Sequence, residues 1–396
     1  MKKTQILLDV SLTGGRGPAK KAYEVISDLK ERGISYGIVT DRIFRYKLQD
    51  MGITPDFVVD TDLTEKPQTV IEKFNATLSN INYHFLVKMG ARVAGPIAAR
   101  KAQKPYLLVD GGLPDCLTEE EGLYERKTFE QAQKVLITSQ FPWVPPNRTG
   151  LKNIEVCGFP LSRKTLGALD KLRNTKKLDI LKSISNRLSG RLPNREDDFL
   201  INLLMTGDYL CPRNRVTYGG WLTANQYDQC VGFVRRFVVD MCEALSDKDV
   251  FMFVDREIIG IVGDIAVRYP GLNLITFAKD WDYPAEIAMQ AAADLVVSRA
   301  TNYQPYLAVL RKKCTVTTPV PADGYMDEDS AAVQYQARGL TRFIPYDQEN
   351  YATEIVDFLS DKERQEVVSK NLEDNVEFIK ERNLNEILAD ICQNIR

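Results

Sequence analysis

Apolar, strand-like runs alternate with helix-like runs of roughly 10–15 residues, which predicts an α/β protein built on parallel, doubly wound sheets. The alternating series occurs twice, separated by a charged, helix-prone segment. With 396 residues the chain is long enough for two domains of ordinary size. The expected architecture is two doubly wound lobes facing a cleft, with ligands held at the strand-to-helix loops on one sheet edge.

The first series opens with the strand "TQILLDV", the glycine-rich turn "SLTGGRGP" and a helix over 19–32. It continues with "SYGIVTD", a helix over 42–51 ending at Gly52, "DFVVD", "HFLVKMG" and a helix over 93–103. "PYLLVDGG", a helix near 124–133, "KVLITS" and "IEVCG" complete it. Residues 163–197 read as a linker with one or two helices. The second series starts at "FLINLLMTG" and runs through a helix over 226–245, "DVFMFVD", a helix over 257–268 and "LNLITFA". It goes on through helices over 284–292, 303–311, 329–338 and 350–359, with "DLVVS", "KCTVTTPV" and "TRFIPY" as strands between them. Two last helices, 361–370 and 373–393, have no strand to cover and are free to cross back to the first lobe. The domains are thus 1–162, the linker 163–197, 198–370, and a C-terminal helix in 371–396.

Composition excludes several function classes. Apolar content of 44% and charged content of 27% are ordinary for a globular enzyme, and a net charge of −2 carries no basic excess toward nucleic acid or an anionic membrane. No run reaches the ~18–20 apolar residues of a membrane span, and the apolar start is short and interrupted by Asp9, unlike a secretory leader. Seven scattered cysteines without a CxxC pair read as reduced thiols of a cytoplasmic protein, with no zinc site. His84 is the only histidine, which removes paired-histidine metal chemistry. The dinucleotide fingerprint fails because its third glycine falls on Lys20, and neither a phosphate-binding P-loop nor a nucleophile elbow is present.

Four stretches in order resemble the two-lobed glycosyltransferases of the GT-B fold, of the MurG type, which transfer N-acetylglucosamine from a UDP-sugar. They are the first strand with "TGGRGP", "VKMGARVAGPIAARKAQKPYLLVDGGLP" (87–114), "SQFPWVPPN…NIEVCGFPLSR" (139–163) and "ADLVVSRATNYQPYLAVLRKKCTVTTPVP" (293–321). The resemblance implies two Rossmann-like lobes, a nucleoside-diphosphate sugar as substrate, and no cofactor or bound metal. It implies an acceptor or phosphate loop at Gly14, Gly15 and Arg16, joined by Gly90 and Gly95. The donor side would hold Gly207, Arg213, Phe277, Arg299, Thr301 and Asn302. Independently of resemblance, small residues between a strand and a helix N-terminus let backbone N–H groups meet an anion. The same small residues also serve plain helix-on-sheet packing.

The family pattern breaks in four places. Where the first loop often carries a histidine, Arg16 or Pro18 stands, and neither acts as a base near neutral pH. The expected ribose-binding glutamate falls near Pro305 or Tyr306, and the pair expected at the donor sugar falls in "MDEDSAAVQ", which offers Asp327, Glu328 and Asp329. Residues 208–229 look like an insertion, either a lid over the donor phosphates or a solvated loop.

The function expected is inverting, metal-independent transfer of a sugar to a hydroxyl or amine. A nucleotide-sugar hydrolase or epimerase, or a catalytically inactive binder, is the alternative. Asp110, at the end of "PYLLV" and in place of the family's glutamate, is the expected base. His84 competes but starts its strand, with Asp9 or a substrate-assisted route next. Natural products, lipid-linked sugars, nucleosides and modified nucleic acid all fit as acceptors. "FPWVPP" (141–146) offers either a peripheral membrane contact or packing.

Overall fold

The computed structural model describes residues 4–11, 17–62, 65–90, 93–110, 126–139, 141–144, 148–203, 224–279, 282–298, 315–317, 326–345, 348–349 and 351–394. The chain divides into two compact units. Met1–Leu166 and Phe378–Arg396 form the first; Gly167–Val216 and Gly220–Glu377 form the second.

In the first unit β1 (Thr4–Asp9), β2 (Tyr36–Asp41), β3 (Phe57–Val59), β4 (Tyr83–Lys88), β5 (Tyr106–Asp110), β6 (Lys134–Thr138) and β7 (Ile154–Cys157) form one parallel sheet in the order 3-2-1-4-5-6-7. Helices α1 (Gly17–Glu31), α2 (Arg45–Asp50), α3 (Pro67–Leu78) and α4 (Ala94–Lys101) alternate with the strands, and residues 126–131 are helical before β6. Ile6 and Leu8 of β1 face one core with α1, and Leu7 faces the other with α3 and α4. Strands buried on both faces explain why these runs read as continuously apolar.

The helix α3 is a departure from the sequence reading, which passes directly from "DFVVD" to "HFLVKMG". The signal was present: Pro67 stands in the first turn, and Val70, Ile71, Phe74 and Leu78 recur at helical spacing and are buried.

The second unit repeats the plan. Its strands are β8 (Leu188–Ser189), β9 (Phe199–Leu203), β10 (Val250–Val254), β11 (Leu272–Phe277), β12 (Leu295–Ser298), β13 (Thr315–Thr317) and β14 (Arg342–Phe343), in the order 14-13-12-9-10-11-8. All pairings are parallel except β8 with β11. Helices α5 (Arg163–Arg173) and α6 (Lys177–Ile184) fill the charged segment, whose end contributes β8 to this sheet. Then come α7 (Ala224–Ala244), α8 (Arg256–Arg268), α9 (Tyr283–Ala292), α10 (Met326–Ala337) and α11 (Tyr351–Ser360). The helix expected over 303–311 lies outside the described residues.

The C-terminal helices break later than their sequence suggests. One helix, α12, runs from Lys362 to Glu381, and α13 spans Leu384–Asn394. The break is made by buried Asn383, whose side-chain oxygen accepts from Leu161 N and Asn385 N, while its Nδ2 donates to Leu161 O. Leu384, Leu388 and Cys392 of α13 then enter the first unit's core beside α1.

Candidate functional site at the carboxyl edge of the first sheet

In an open parallel sheet, ligands meet the chain outside the carboxyl ends of the strands where the winding direction reverses. In the first unit the reversal falls between β1 and β4. Asp9, the last residue of β1, stands in register with Val39 of β2 and Lys88 of β4. The N–H groups of Met89 and Gly90 both reach the carbonyl of Asp9, at 2.8 and 3.3 Å. Gly90 is required here, because a Cβ at this position would lie 1.8 Å from the Ser11 carbonyl oxygen.

Three charged side chains are buried along this edge: Asp41, Asp9 and Lys88. Asp41 accepts a 2.7 Å hydrogen bond from Phe44 N. The Lys88 ammonium stands 5.7 Å from the centroid of the Phe129 ring. Asp9 is fully buried, and its carboxylate oxygens meet no partner at full hydrogen-bond distance and angle, with Ser11 contributing weaker hydrogen bonding from its side chain and backbone. Burial pushes its pKa up from 3.8 to about 7. Hydrogen bonding from the Ser11 side chain and backbone and the charge of Lys88 pull the value down and Asp41 pushes it up, but burial outweighs them.

The Asp9 carboxyl rests on the first turn of α4. A Cβ at Gly95 would lie 1.9 Å from its Oδ2, so the glycine makes the room that the carboxyl occupies. Helix α4 starts without a side-chain cap or an acidic residue in its first turn, and Pro96 has no N–H to offer. The first N–H groups of a helix have no partner within it and carry partial positive charge. Residues 93–96 thus set an uncapped helix start beside a buried carboxyl.

The other expected residues divide by position. Asp110 ends β5, opposite Ile137 of β6, so its backbone reaches the carboxyl edge. His84 is the second residue of β4, at the amino end of the sheet; five residues of strand, roughly 16 Å, separate it from Met89. Gly14, Gly15 and Arg16 lie outside the described residues. Phe141 is fully buried, and the half-buried Trp143 ring stands 6.4 Å from it.

In the second unit the winding reverses between β9 and β12. Gly207 and Arg213, which follow β9, and Arg299, Thr301 and Asn302, which follow β12, lie outside the described residues. Phe277 ends β11 and is buried, its ring edge-on to Phe253 at 4.9 Å. Asp327 and Asp329 belong to the first turn of α10. A cavity of about 400 Å³ opens beside Thr315 and Thr341, at the amino ends of β13 and β14. Its Arg342 is paired with Glu354, and its Arg364 with Asp361. Among the described residues no group of three His, Cys, Asp or Glu side chains is placed to hold a metal ion, and no helix is long and apolar enough to cross a membrane.

From the sequence alone Asp9 ranks behind Asp110. Its one signal is a charged residue closing an apolar strand, and "FLVK" and "GIVTD" carry the same signal for Lys88 and Asp41.

No protein-family model matches this chain, and a search of the curated proteins finds no match. Solved structures do match over the full length. The chain is similar to Acinetobacter baumannii MurG, with 12% identity, a TM-score of 0.59 and coverage of 98% of this chain and 99% of that one. It is similar to the glycotransferase of kitacinnamycin, with 13% identity, a TM-score of 0.63 and coverage of 100% of both. A Neisseria meningitidis UDP-GlcNAc 2-epimerase bound to UDP-GlcNAc matches with 12% identity, a TM-score of 0.62, and coverage of 98% and 99%. The fold is therefore that of the GT-B proteins, two Rossmann-like α/β units in one chain.

Proposed function

We propose that this protein is an inverting glycosyltransferase that moves a sugar from a nucleoside-diphosphate sugar, most simply a UDP-sugar, to a hydroxyl or amine. The full-length likeness to MurG and to the glycotransferase of kitacinnamycin carries the reading. Neither a cofactor nor a bound metal is needed for it. The acceptor is assigned to the carboxyl edge of the first sheet, near Gly90 and Gly95. The donor is assigned to the second unit, with Gly207, Arg213, Phe277, Arg299, Thr301 and Asn302 taken to hold the nucleotide and Asp327 and Asp329 taken as the polar partners of the sugar. The acceptor atom bonds to the anomeric carbon as the bond to the diphosphate breaks, and the electron pair leaves on the β-phosphate oxygen. Asp110 takes the acceptor's proton, and backbone N–H groups with Arg299 offset the leaving charge.

The likeness to a UDP-GlcNAc 2-epimerase at a similar TM-score supports a second reading, chemistry on the donor alone. Donor consumption with and without acceptors separates the two, since transfer requires both substrates. Saturating UDP is expected to raise the melting temperature by mass action, and Arg299→Ala to weaken that shift. Asp110→Asn is expected to cut turnover ~10²-fold or more with donor affinity unchanged, and His84→Gln to cost much less. No thermal shift with any nucleotide, and no donor consumed, would sink this reading.

A further inference from the structure

The cavity of about 400 Å³ at the amino edge of the second sheet lies wholly within the second unit. Its rim is set where α10 ends. Gly339, just past that helix, takes a φ of 66°, in the left-handed region that glycine tolerates. A Cβ there would lie 2.4 Å from Asn371 Nδ2, so the glycine also lets α12 come close. Buried Thr315, Leu340 and Thr341 form the floor, and α11 and α12 supply the walls. Half-buried Phe358 and Val368 make one part of the wall apolar.

Three polar side chains at this cavity have bonding capacity to spare. Asp361 caps α12 by accepting from Arg364 N at 3.1 Å, and its Oδ2 stands 3.2 Å from Arg364 Nε. The terminal nitrogens of that guanidinium have no partner among the described residues. Gln336 Oε1 accepts from Phe343 N at 2.8 Å and from Arg342 Nη1 at 3.4 Å. These bonds orient the amide and leave its NH2 as an unused donor. The exposed Asp357 carboxylate of α11 also has no partner among the described residues. Arg342 and Glu354, by contrast, neutralise each other.

The groups left over are a cation with a neutral donor, a carboxylate, and an apolar wall. A polyphosphate would gain Arg364 and be repelled by Asp357 and Glu354. A simple amine would gain Asp357 and be repelled by Arg364 and Arg342. A dipolar molecule escapes both repulsions. We propose that this cavity binds a small zwitterion, an α-amino acid with an apolar side chain. Its carboxylate takes the Arg364 guanidinium and the Gln336 amide, its ammonium takes Asp357, and its side chain covers Phe358 and Val368. The volume lies at the small end of the roughly 300–1,000 Å³ of ordinary ligand pockets, as so small a ligand requires. Because the donor loops follow the carboxyl ends of the strands and this cavity lies at the amino ends, its ligand is not the sugar donor. The inference is independent of the glycosyltransferase reading.

L-Phenylalanine is the probe, with two molecules that each lack one of its charged groups: 3-phenylpropionate, without the ammonium, and 2-phenylethylamine, without the carboxylate. Calorimetric titration of each into the full chain, up to roughly 20 mM, covers affinities down to the millimolar range. Phenylalanine is expected to bind in that range, and each of the other two about fivefold or more weaker, since each loses a charge-assisted contact. Asp357→Asn should abolish the preference over phenylpropionate and keep that over phenylethylamine; Arg364→Gln should do the reverse. The crossed pattern separates direct contact from a general loss of structure. The three-probe comparison on the unaltered protein needs no variant, so a variant that fails to fold does not spare the proposal. No binding of phenylalanine, equal affinity for the three probes, or a folded variant that keeps the preference it should lose each overturns it.

Discussion

Asp9 ties the stability of the first unit to pH, and the sign follows from the direction of its shift. Its folded pKa, about 7, lies above the 3.8 of a free carboxyl, so the folded chain holds the proton more tightly than the unfolded chain. Its contribution is neutral below about pH 4 and becomes a penalty as pH rises toward 7, reaching about 4 kcal/mol above that. Asp9→Asn removes the penalty. Urea denaturation should find the variant's stability relative to the unaltered protein about 2–3 kcal/mol more favourable at about pH 8 than at about pH 5. Equal differences at the two pH values would show that Asp9 does not titrate in this range. Gly95 answers to the same carboxyl. Gly95→Ala places a Cβ 1.9 Å from Asp9 Oδ2 and should cost about 1–3 kcal/mol, a cost that Asp9→Ala relieves in the double variant. If the two substitutions simply add, the carboxyl is not what Gly95 makes room for.

Among the elements, α13 shows how a single side chain can set a boundary. Lys362–Glu381 contains neither glycine nor proline, and the sequence offers no reason to stop it at one residue rather than another. The stop comes from Asn383, which satisfies both polar groups of the Leu161 backbone from 222 positions away. Asn383→Ala leaves that buried N–H and carbonyl unpaired and is expected to cost about 2–4 kcal/mol of unfolding free energy; a loss under about 0.5 kcal/mol would assign the break elsewhere. The neighbouring "GFPLS" stretch, recognisable in the sequence as family-like, acts in this joint. Gly158 N donates to Arg382 O, and Glu24 of α1 accepts from Ser162 N at 2.8 Å and from Thr165 Oγ1 at 2.9 Å. The elements legible in advance were those with strong local signals, such as α1 after its glycine turn and α4 after "MG". β8, two residues long, carries no such signal, and its pairing with β11 depends on a strand more than 80 positions later.

At the scale of the molecule, the core of the first unit is closed by α13, far in sequence from β1. Leu384, Leu388 and Cys392 are at most 3% exposed and lie in the core formed by α1 and the first sheet. Each buried apolar side chain is worth about 1.5–3 kcal/mol, so deletion of residues after Glu381 should remove on the order of 5 kcal/mol. Loss of near-ultraviolet circular dichroism and of cooperative unfolding in the first unit is the expected result. A truncated chain that unfolds at the same urea concentration as the full one would show α13 to be an accessory. The sequence by itself determined the class of fold, its duplication and the edge on which ligands are sought, because strand and helix periodicity and small-residue turns are local properties. It also placed Gly90 and Gly95 at that edge. Only the tertiary structure decided that Asp9 lies buried against the first turn of α4, that Gly95 makes its space, and that α13 packs into the core of the first unit. Burial, register and close approach join residues far apart in the chain, and no local pattern encodes the distance between them.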